Sequence, residues 1–142
     1  MAVNYLDNNN LENLYDEMQA VYLNDDRPWI IGYSSGKDSS CVVELTFRML
    51  KRLPKEKRHK EIYVISSDTL IENPIILDYL KNNIDKINES ATEHDLPISA
   101  QIVYPEHNDS FWANIIGRGY PTPKSIKYRW CTERLKIKPS NK

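Results

Sequence analysis

The sequence predicts an α/β fold in which a parallel sheet carries helices on both faces. Three observations point there. Apolar runs within residues 29–31, 61–66 and 98–104 have the length of buried strands. Stretches with apolar residues at helical spacing stand before, between and after them, giving the order α-β-α-β-α-β-α. The first two runs end in small or polar residues, Ser34-Ser35-Gly36 and Ser66-Ser67-Asp68-Thr69, at the strand ends where open parallel sheets hold ligands.

Composition fits one ordinary globular domain. The chain has 142 residues, enough for a real core, and is 40% hydrophobic and 27% charged. No apolar run approaches the roughly 20 residues of a membrane span, and no leader pattern opens the chain. Two cysteines, Cys41 and Cys131, make no disulfide framework, so a reducing, cytoplasmic location is expected. Three strands are few for such a sheet, and the chain stops just after a motif-like segment. It therefore reads as a fragment of a longer protein.

The elements follow in order. Residues 1–9 are polar and Asn-rich. Leu11, Leu14, Tyr15, Met18, Val21 and Tyr22 mark an amphipathic helix over 10–24, expected to cover the sheet beside the first turn. Trp29-Ile30-Ile31 begins the first strand. A helix with Val42, Leu45 and Met49 on its apolar face follows the turn and stops at Pro54; Cys41 is placed in its core face. After the second strand, Asn73 caps a helix that has Pro74 in its first position and Ile76, Tyr79, Leu80, Ile84, Ile87 and Ala91 on its buried face. After the third strand, a short helix is expected from Asn108 or Asp109 to Ile116, with Gly117 at its C-terminal cap.

The chemistry centres on Trp29 to Val43. A strand, a small-residue turn and a helix build an anion site, because the helix N-terminus presents orphan N–H groups and a partial positive charge. Gly36 leaves room for a phosphate, the hydroxyls of Ser34, Ser35, Ser39 and Ser40 add donors, and Lys37 adds charge. A Walker A loop is excluded: four residues after Gly32 comes Lys37, not Gly, and Gly36-Lys37 is followed by Asp38. If the position of Ser35 needs positive φ, a serine is strained there.

Charge is unevenly spread. Residues 1–26 hold six acids (Asp7, Glu12, Asp16, Glu17, Asp25, Asp26) and no Lys or Arg. Residues 119–142 hold seven bases (Lys124, Lys127, Arg129, Arg134, Lys136, Lys138, Lys142) against Glu133 alone. This asymmetry predicts that the C-terminal end meets an anion, either a nucleotide's phosphates or a nucleic acid backbone. A second basic run, 51–60, reads as a solvated connection or a nucleic-acid contact. His59, His94 and His107 have no ligand spacing for zinc.

The pattern Ser34-x-Gly36-x-Asp38-Ser39 resembles the pyrophosphate loop (PP-loop) of N-type ATP pyrophosphatases and phosphoadenylyl-sulfate (PAPS) reductases, with Ser35 in place of the usual first Gly. Taken with Tyr63-Val64-Ile65-Ser66-Ser67-Asp68-Thr69-Leu70-Ile71-Glu72-Asn73-Pro74, with Ile116-Gly117-Arg118-Gly119-Tyr120-Pro121 and with Arg129-Trp130-Cys131-Thr132-Glu133-Arg134-Leu135-Lys136-Ile137-Lys138-Pro139, it resembles the DndC family, the sulfurtransferases of bacterial DNA phosphorothioation. The resemblance covers nearly the whole chain. It implies a Rossmann-like adenine nucleotide α-hydrolase fold over 1–142, with a basic C-terminal segment over 117–142 that reads as truncated. It also implies ATP and Mg²⁺ as cofactors, DNA as substrate, and a cysteine desulfurase and other phosphorothioation proteins as partners, with no membrane. A four-cysteine iron–sulfur cluster is expected of the full-length family member; two cysteines cannot hold one here.

The resemblance assigns Ser34, Ser35, Gly36, Lys37, Asp38 and Ser39 to the nucleotide's phosphates. Asp68 and Thr69 go beside the ribose or substrate, and Arg118, Lys124 and Arg129 to a phosphate clamp. Lys37, Asp38 and Cys131 would take part in catalysis. Asp38 is either a water-mediated Mg²⁺ ligand or a helix cap. Cys131 is a cluster ligand, a persulfide carrier or a buried structural thiol, and Arg129, Arg134 and Lys136 beside it favour a thiolate. Residues 118–138 are expected on the PP-loop side of the sheet, bringing Cys131 near the nucleotide. The competing readings are a PAPS reductase or sulfate adenylyltransferase-like enzyme, and a non-catalytic nucleotide- or DNA-binding module. The family's Glu-Cys-Gly of PAPS reductases is absent from this chain.

Overall fold

Three short, β-branched and apolar runs pair as parallel strands: β1, Trp29–Gly32; β2, Ile62–Ser67; and β3, Ile98–Val103, in the order β1-β2-β3. This computed structural model describes residues 8–122 and 129–141. Lys124, Lys127 and Lys142 lie outside the described residues. In register, Trp29 stands beside Ile62 and Ile62 beside Ile98, so the carboxyl ends Gly32, Ser67 and Val103 gather at one edge.

Helix α1 is Asn8–Leu23, α2 is Lys37–Arg52 and α3 is Pro74–Glu93. Asn73 caps α3 as the sequence predicts, its Oδ1 accepting the Ile75 N–H at 2.9 Å. The α/β class and the parallel sheet stand. Helices α2 and α3 share one face, and the helical residues Lys138–Ser140 meet Ser67, which alternates with the buried Ser66, through the Ser140 hydroxyl. Both crossovers step the same way across the sheet, and right-handed connections then deposit α2 and α3 on one face. On that face Ile31, Ile62, Val64, Ile98 and Ala100 are buried against Val43, Phe47, Met49, Leu50, Leu80, Ile84 and Ala91. The alternate residues Ile30, Gly32, Ser99 and Gln101 are exposed, Ile30 at 64%. Each fully buried large side chain of this layer contributes roughly 1.5–3 kcal/mol.

Three sequence expectations about faces are corrected. The buried side of α2 runs through Val43, Thr46, Phe47, Met49 and Leu50, leaving Val42 and Cys41 exposed. Cys41 is therefore not core: the stripe is turned by one residue from the expected Val42-Leu45-Met49 line. On α3, Leu80, Ile84 and Ala91 are buried, but Ile76 and Tyr79 stand out from the first turns. On α1, Tyr15 and Tyr22 are buried and Val21 is exposed.

Helix α1 also sits elsewhere than expected. It packs on the C-terminal half of α2, where Glu12 pairs with Arg52 at 2.5 Å and Gln19 reaches the Met49 carbonyl. Its Tyr22 hydroxyl donates to the Lys60 carbonyl at 2.8 Å and accepts the Lys60 N–H at 2.9 Å, just before β2 begins. It thus pins the edge of the sheet opposite the Ser34 turn.

After β3 the chain departs from a single short helix. A 3₁₀ turn spans His107–Asp109, Ser110 is extended, and π turns follow over Ala113–Gly117. The positive-φ glycine is Gly119 (φ 66°), not the expected cap Gly117. The chain resumes as a helical segment in three pieces, Trp130–Thr132, the π-turned Glu133–Ile137, and Lys138–Ser140. An aromatic cluster joins the two stretches: Phe111 stacks on Trp130, Tyr120 meets it edge-on, and Trp130 Nε1 donates to the Pro121 carbonyl at 3.0 Å.

Candidate functional site

The Ser34–Ser39 turn is organised from within. The Tyr33 N–H bonds the Ile65 carbonyl at 2.8 Å, carrying the sheet ladder one residue past β1. The Ser34 N–H then donates to Ser39 Oγ at 3.2 Å, and Ser39 Oγ donates to the Gly36 carbonyl at 3.1 Å. Ser35 has φ 58°, the left-handed conformation that makes its serine strained, and its hydroxyl is buried without a hydrogen-bond partner. Gly36 is the N-cap of α2, with φ −80° and no side chain capping the helix. The first N–H groups of α2 are thus left for a ligand or solvent. A Cβ on Gly36 would lie 3.3 Å from Ser34 Oγ, so the need for glycine here is steric rather than conformational.

Asp38 sits in the first turn of α2, exposed like Lys37, and does not cap the helix. Its reading as a pure N-cap is therefore set aside. A carboxylate there is favourable to the helix dipole but opposes a bound phosphate.

Of the turn, Ser34 lines a cavity of about 420 Å³ together with Gly32, Tyr33, Ile65, Ser66, Ser67, Glu72, Ile76, Leu77, Leu80, Lys136 and Ser140, whereas Ser35, Gly36, Lys37, Asp38 and Ser39 are not part of its lining. That volume is within the roughly 300–1,000 Å³ of small-molecule sites. Its lining combines the hydroxyl residues Ser34, Ser66, Ser67 and Ser140 and the charged Glu72 and Lys136 with the apolar Ile76, Leu77 and Leu80 of α3. The Ser67 hydroxyl lies 3.4 Å from that of Ser140, which brings the C-terminal helical segment to the carboxyl edge of the sheet, as the topology predicts.

Asp68 and Thr69 do not line this cavity. Both are buried and hold their own turn: Asp68 Oδ1 accepts the Leu70 N–H at 2.8 Å, with Leu70 at φ 62°, and Thr69 donates to Glu72 Oε1 at 3.0 Å. Their effect on the cavity passes through Glu72, which does line it.

The expected phosphate clamp is likewise turned inward. Asp109, buried, accepts from Arg134 Nη1 at 2.5 Å, from Arg118 Nη1 at 3.2 Å and from Lys138 Nζ. Arg118 also donates to Asn114 Oδ1 at 2.9 Å, and Arg134 to the Tyr120 hydroxyl at 3.1 Å. The Lys138 hydrogen bond, opposed by burial and aided by Arg118 and Arg134, holds the Asp109 carboxyl at about 2. The basic C-terminal stretch thus finds much of its counter-anion within the chain. The same holds at the other end: Arg52 pairs with Glu12, Lys60 with Asp25 and His59 with Asp26, while Lys55 pairs with Asp95. This weakens the nucleic-acid reading of 51–60.

Of the remaining candidates, Arg129 is exposed beside the helical segment and Cys131 is half-buried. Cys131 falls four residues before Leu135, which is buried, so it follows the segment's packed stripe. Nine residues of helical rise, roughly 14 Å, separate it from the Ser140 contact. Among the described residues, no group of three or more His, Cys, Asp or Glu side chains is placed to hold a metal. One half-buried and one exposed thiol on separate elements do not fit an iron–sulfur cluster. Sequence reasoning missed Ser140 as a cavity residue and Asp109 as a hub, whereas Lys136, one of the bases expected to meet an anion, lines the cavity. The signal was present in the alternation Arg134-x-Lys136-x-Lys138, which on a helix sends the middle base away from the outer two.

No helix among the described residues is long and apolar enough to cross a membrane. Comparison of the chain with protein-family models, curated proteins and solved structures finds no match.

Proposed function

We propose that this chain is a PP-loop nucleotide-binding domain that takes ATP, with its phosphates on residues 34–39, and serves sulfur transfer to the DNA backbone. The observation that carries the nucleotide reading is the uncapped N-terminus of α2 behind a positive-φ turn, with Ser34 of that turn lining a cavity that Lys136, Ser67 and Ser140 share with apolar residues of α3. The DNA phosphorothioation reading rests on the sequence resemblance to the DndC family alone.

In this reading a nonbridging oxygen of a DNA phosphate attacks the ATP α-phosphorus. The bond to the β-phosphate oxygen breaks and pyrophosphate leaves. Ser34, Gly36, Ser39 and the first N–H groups of α2 stabilise that leaving group, and Lys37 adds long-range charge. The terminal sulfur of a persulfide supplied by a cysteine desulfurase partner then attacks the activated phosphorus and AMP leaves; a thiol reductant cleaves the resulting S–S bond, leaving the phosphorothioate on the DNA and a disulfide on the carrier and reductant. Mg²⁺ would be held by the triphosphate's own oxygens and water, with Glu72 or Asp38 in the outer sphere. No step is assigned to an iron–sulfur cluster.

Calorimetric titration of ATP into the parent chain and into Gly36→Val tests the loop. The branched side chain should press on Ser34 Oγ and abolish measurable binding. Equal affinity in the two proteins overturns the assignment. Pyrophosphate release from ATP separates an enzyme from a binding module, which the strained Ser35 would suit. PAPS binding in preference to ATP would move the reading to a reductase.

A further inference from the structure

Arg134, Lys136, Lys138 and Ser140 divide between two faces of the C-terminal helical segment. Arg134 and Lys138, four residues apart, both reach Asp109. Lys136 and Ser140, also four apart, both line the cavity beside Ser34 and Ser67, and the Ser140 hydroxyl donates to the Lys136 carbonyl at 2.7 Å. The segment is anchored by the buried Leu135 and Pro139 and, at its start, by Trp130 against Phe111 and Tyr120. At the level of the cavity the segment is also gripped ionically by Asp109, which sits on a separate, hydrogen-bonded 3₁₀ turn with Asn114 Nδ2 on its carbonyl at 3.0 Å. The segment is π-turned at Glu133–Ile137, so the face it shows at each end is set by local contacts rather than by a regular helix.

We propose that Asp109 is the positioning residue of the cavity: by holding Arg134 and Lys138 it turns Lys136 and Ser140 toward the Ser34–Ser39 loop, where Lys136 meets a bound phosphate. The inference rests on the loop reading above. It makes a prediction opposite in sign to simple electrostatics. Removing a negative charge near an anion site should tighten anion binding through the added positive field. Removing the grip should loosen it.

The probe is inorganic pyrophosphate, titrated calorimetrically into the whole chain. Lys136→Met should bind roughly tenfold more weakly, the loss of one charge-assisted contact. Asp109→Asn should show a similar loss, and the double variant should bind no more weakly than Lys136→Met alone, because both act through one ammonium. Asp109→Glu should recover part of the affinity. If Asp109→Asn does not fold, Lys138→Met, which loosens the grip at a half-exposed position, replaces it in the same cycle. Unchanged or tighter binding in the grip variant, or losses that multiply in the double variant, overturn the proposal. Gly36→Val in the same assay reports on the loop separately: if it binds normally while the Asp109 and Lys136 variants are weakened together, the loop assignment falls and the positioning role stands. A parent chain that does not bind pyrophosphate overturns both.

Discussion

The hydroxyls of Ser34 and Ser39 lie 3.2 Å apart across the turn, and Ser39 Oγ is the common partner of the Ser34 N–H and the Gly36 carbonyl. One side chain therefore closes the loop at three points. Ser39→Ala removes them together while leaving α2 intact. We expect pyrophosphate affinity to fall about fivefold, the equivalent of about 1 kcal/mol of lost hydrogen bonding. Calorimetric titration measures this directly, with the circular dichroism of the variant expected to match the parent.

Ser35 gives the opposite expectation. Its φ of 58° and its buried, unpartnered hydroxyl both cost stability. Ser35→Gly should raise the thermal midpoint by a few degrees, for a gain of about 1 kcal/mol after the added chain entropy of glycine. A lowered midpoint would mean that the serine hydroxyl has a partner that matters more than the strain.

Acid should loosen the molecule at two places. The Lys60 hydrogen bond, joined by Arg27, holds Asp25 at about 2, and Asp109 stands at about 2 for the reasons given above. Both folded values lie below the ordinary 3.8, so the stabilisation is complete above about pH 4–5 and is lost as pH falls toward 2. Urea midpoints measured from pH 6 to pH 2 should fall, and Asp25→Asn should lower the midpoint at pH 6 while flattening that fall. Lys60 makes the first site costly to break: its side chain is fully buried, with its ammonium 5.2 Å from the Tyr22 ring centre and 5.6 Å from that of Trp29.

Thiol labelling should separate the two cysteines. Cys41 is exposed on α2 and should react with an aromatic disulfide reagent within the mixing phase, whereas Cys131 should react more slowly in the native protein and at the same rate once unfolded. Cys41→Ser should leave stability within about 0.5 kcal/mol of the parent. Faster labelling of Cys131 would show that its helical segment opens freely.

The strands, the Ser34–Ser39 turn and the Asn73 cap were legible because each depends on a short run of neighbours. Buried helix faces were less so. A period of 3.6 locates a stripe to within a residue, and one residue is the difference between Cys41 in the core and Cys41 in solvent. That α2 and α3 share one face of the sheet was hidden because it depends on strand order, which no local pattern encodes. The inward pairing of Arg134 and Lys138 at the basic C-terminal end was hidden for a related reason. Its bases were weighed against nearby acids in the sequence, but Asp109 lies 25 and 29 residues away from Arg134 and Lys138. Lys136 stood among the bases expected to meet an anion, but nothing local in the sequence sets it apart from those two.

The contact between Ser67 and Ser140 joins residues 73 positions apart, the longest side-chain hydrogen bond among the described residues, and it closes the cavity. Contacts of that separation carry a large loop-closure entropy, and here they are supported by few buried apolar side chains. In a hydrogen-exchange experiment the amides of β2 and α2 should therefore exchange only through global unfolding, while those of 133–140 exchange through a cheaper local opening. The molecule is built as a rigid half-shell and a detachable wall. A ligand that bridges the two would register as a protection of the wall alone, and its binding energy would be readable residue by residue from that difference.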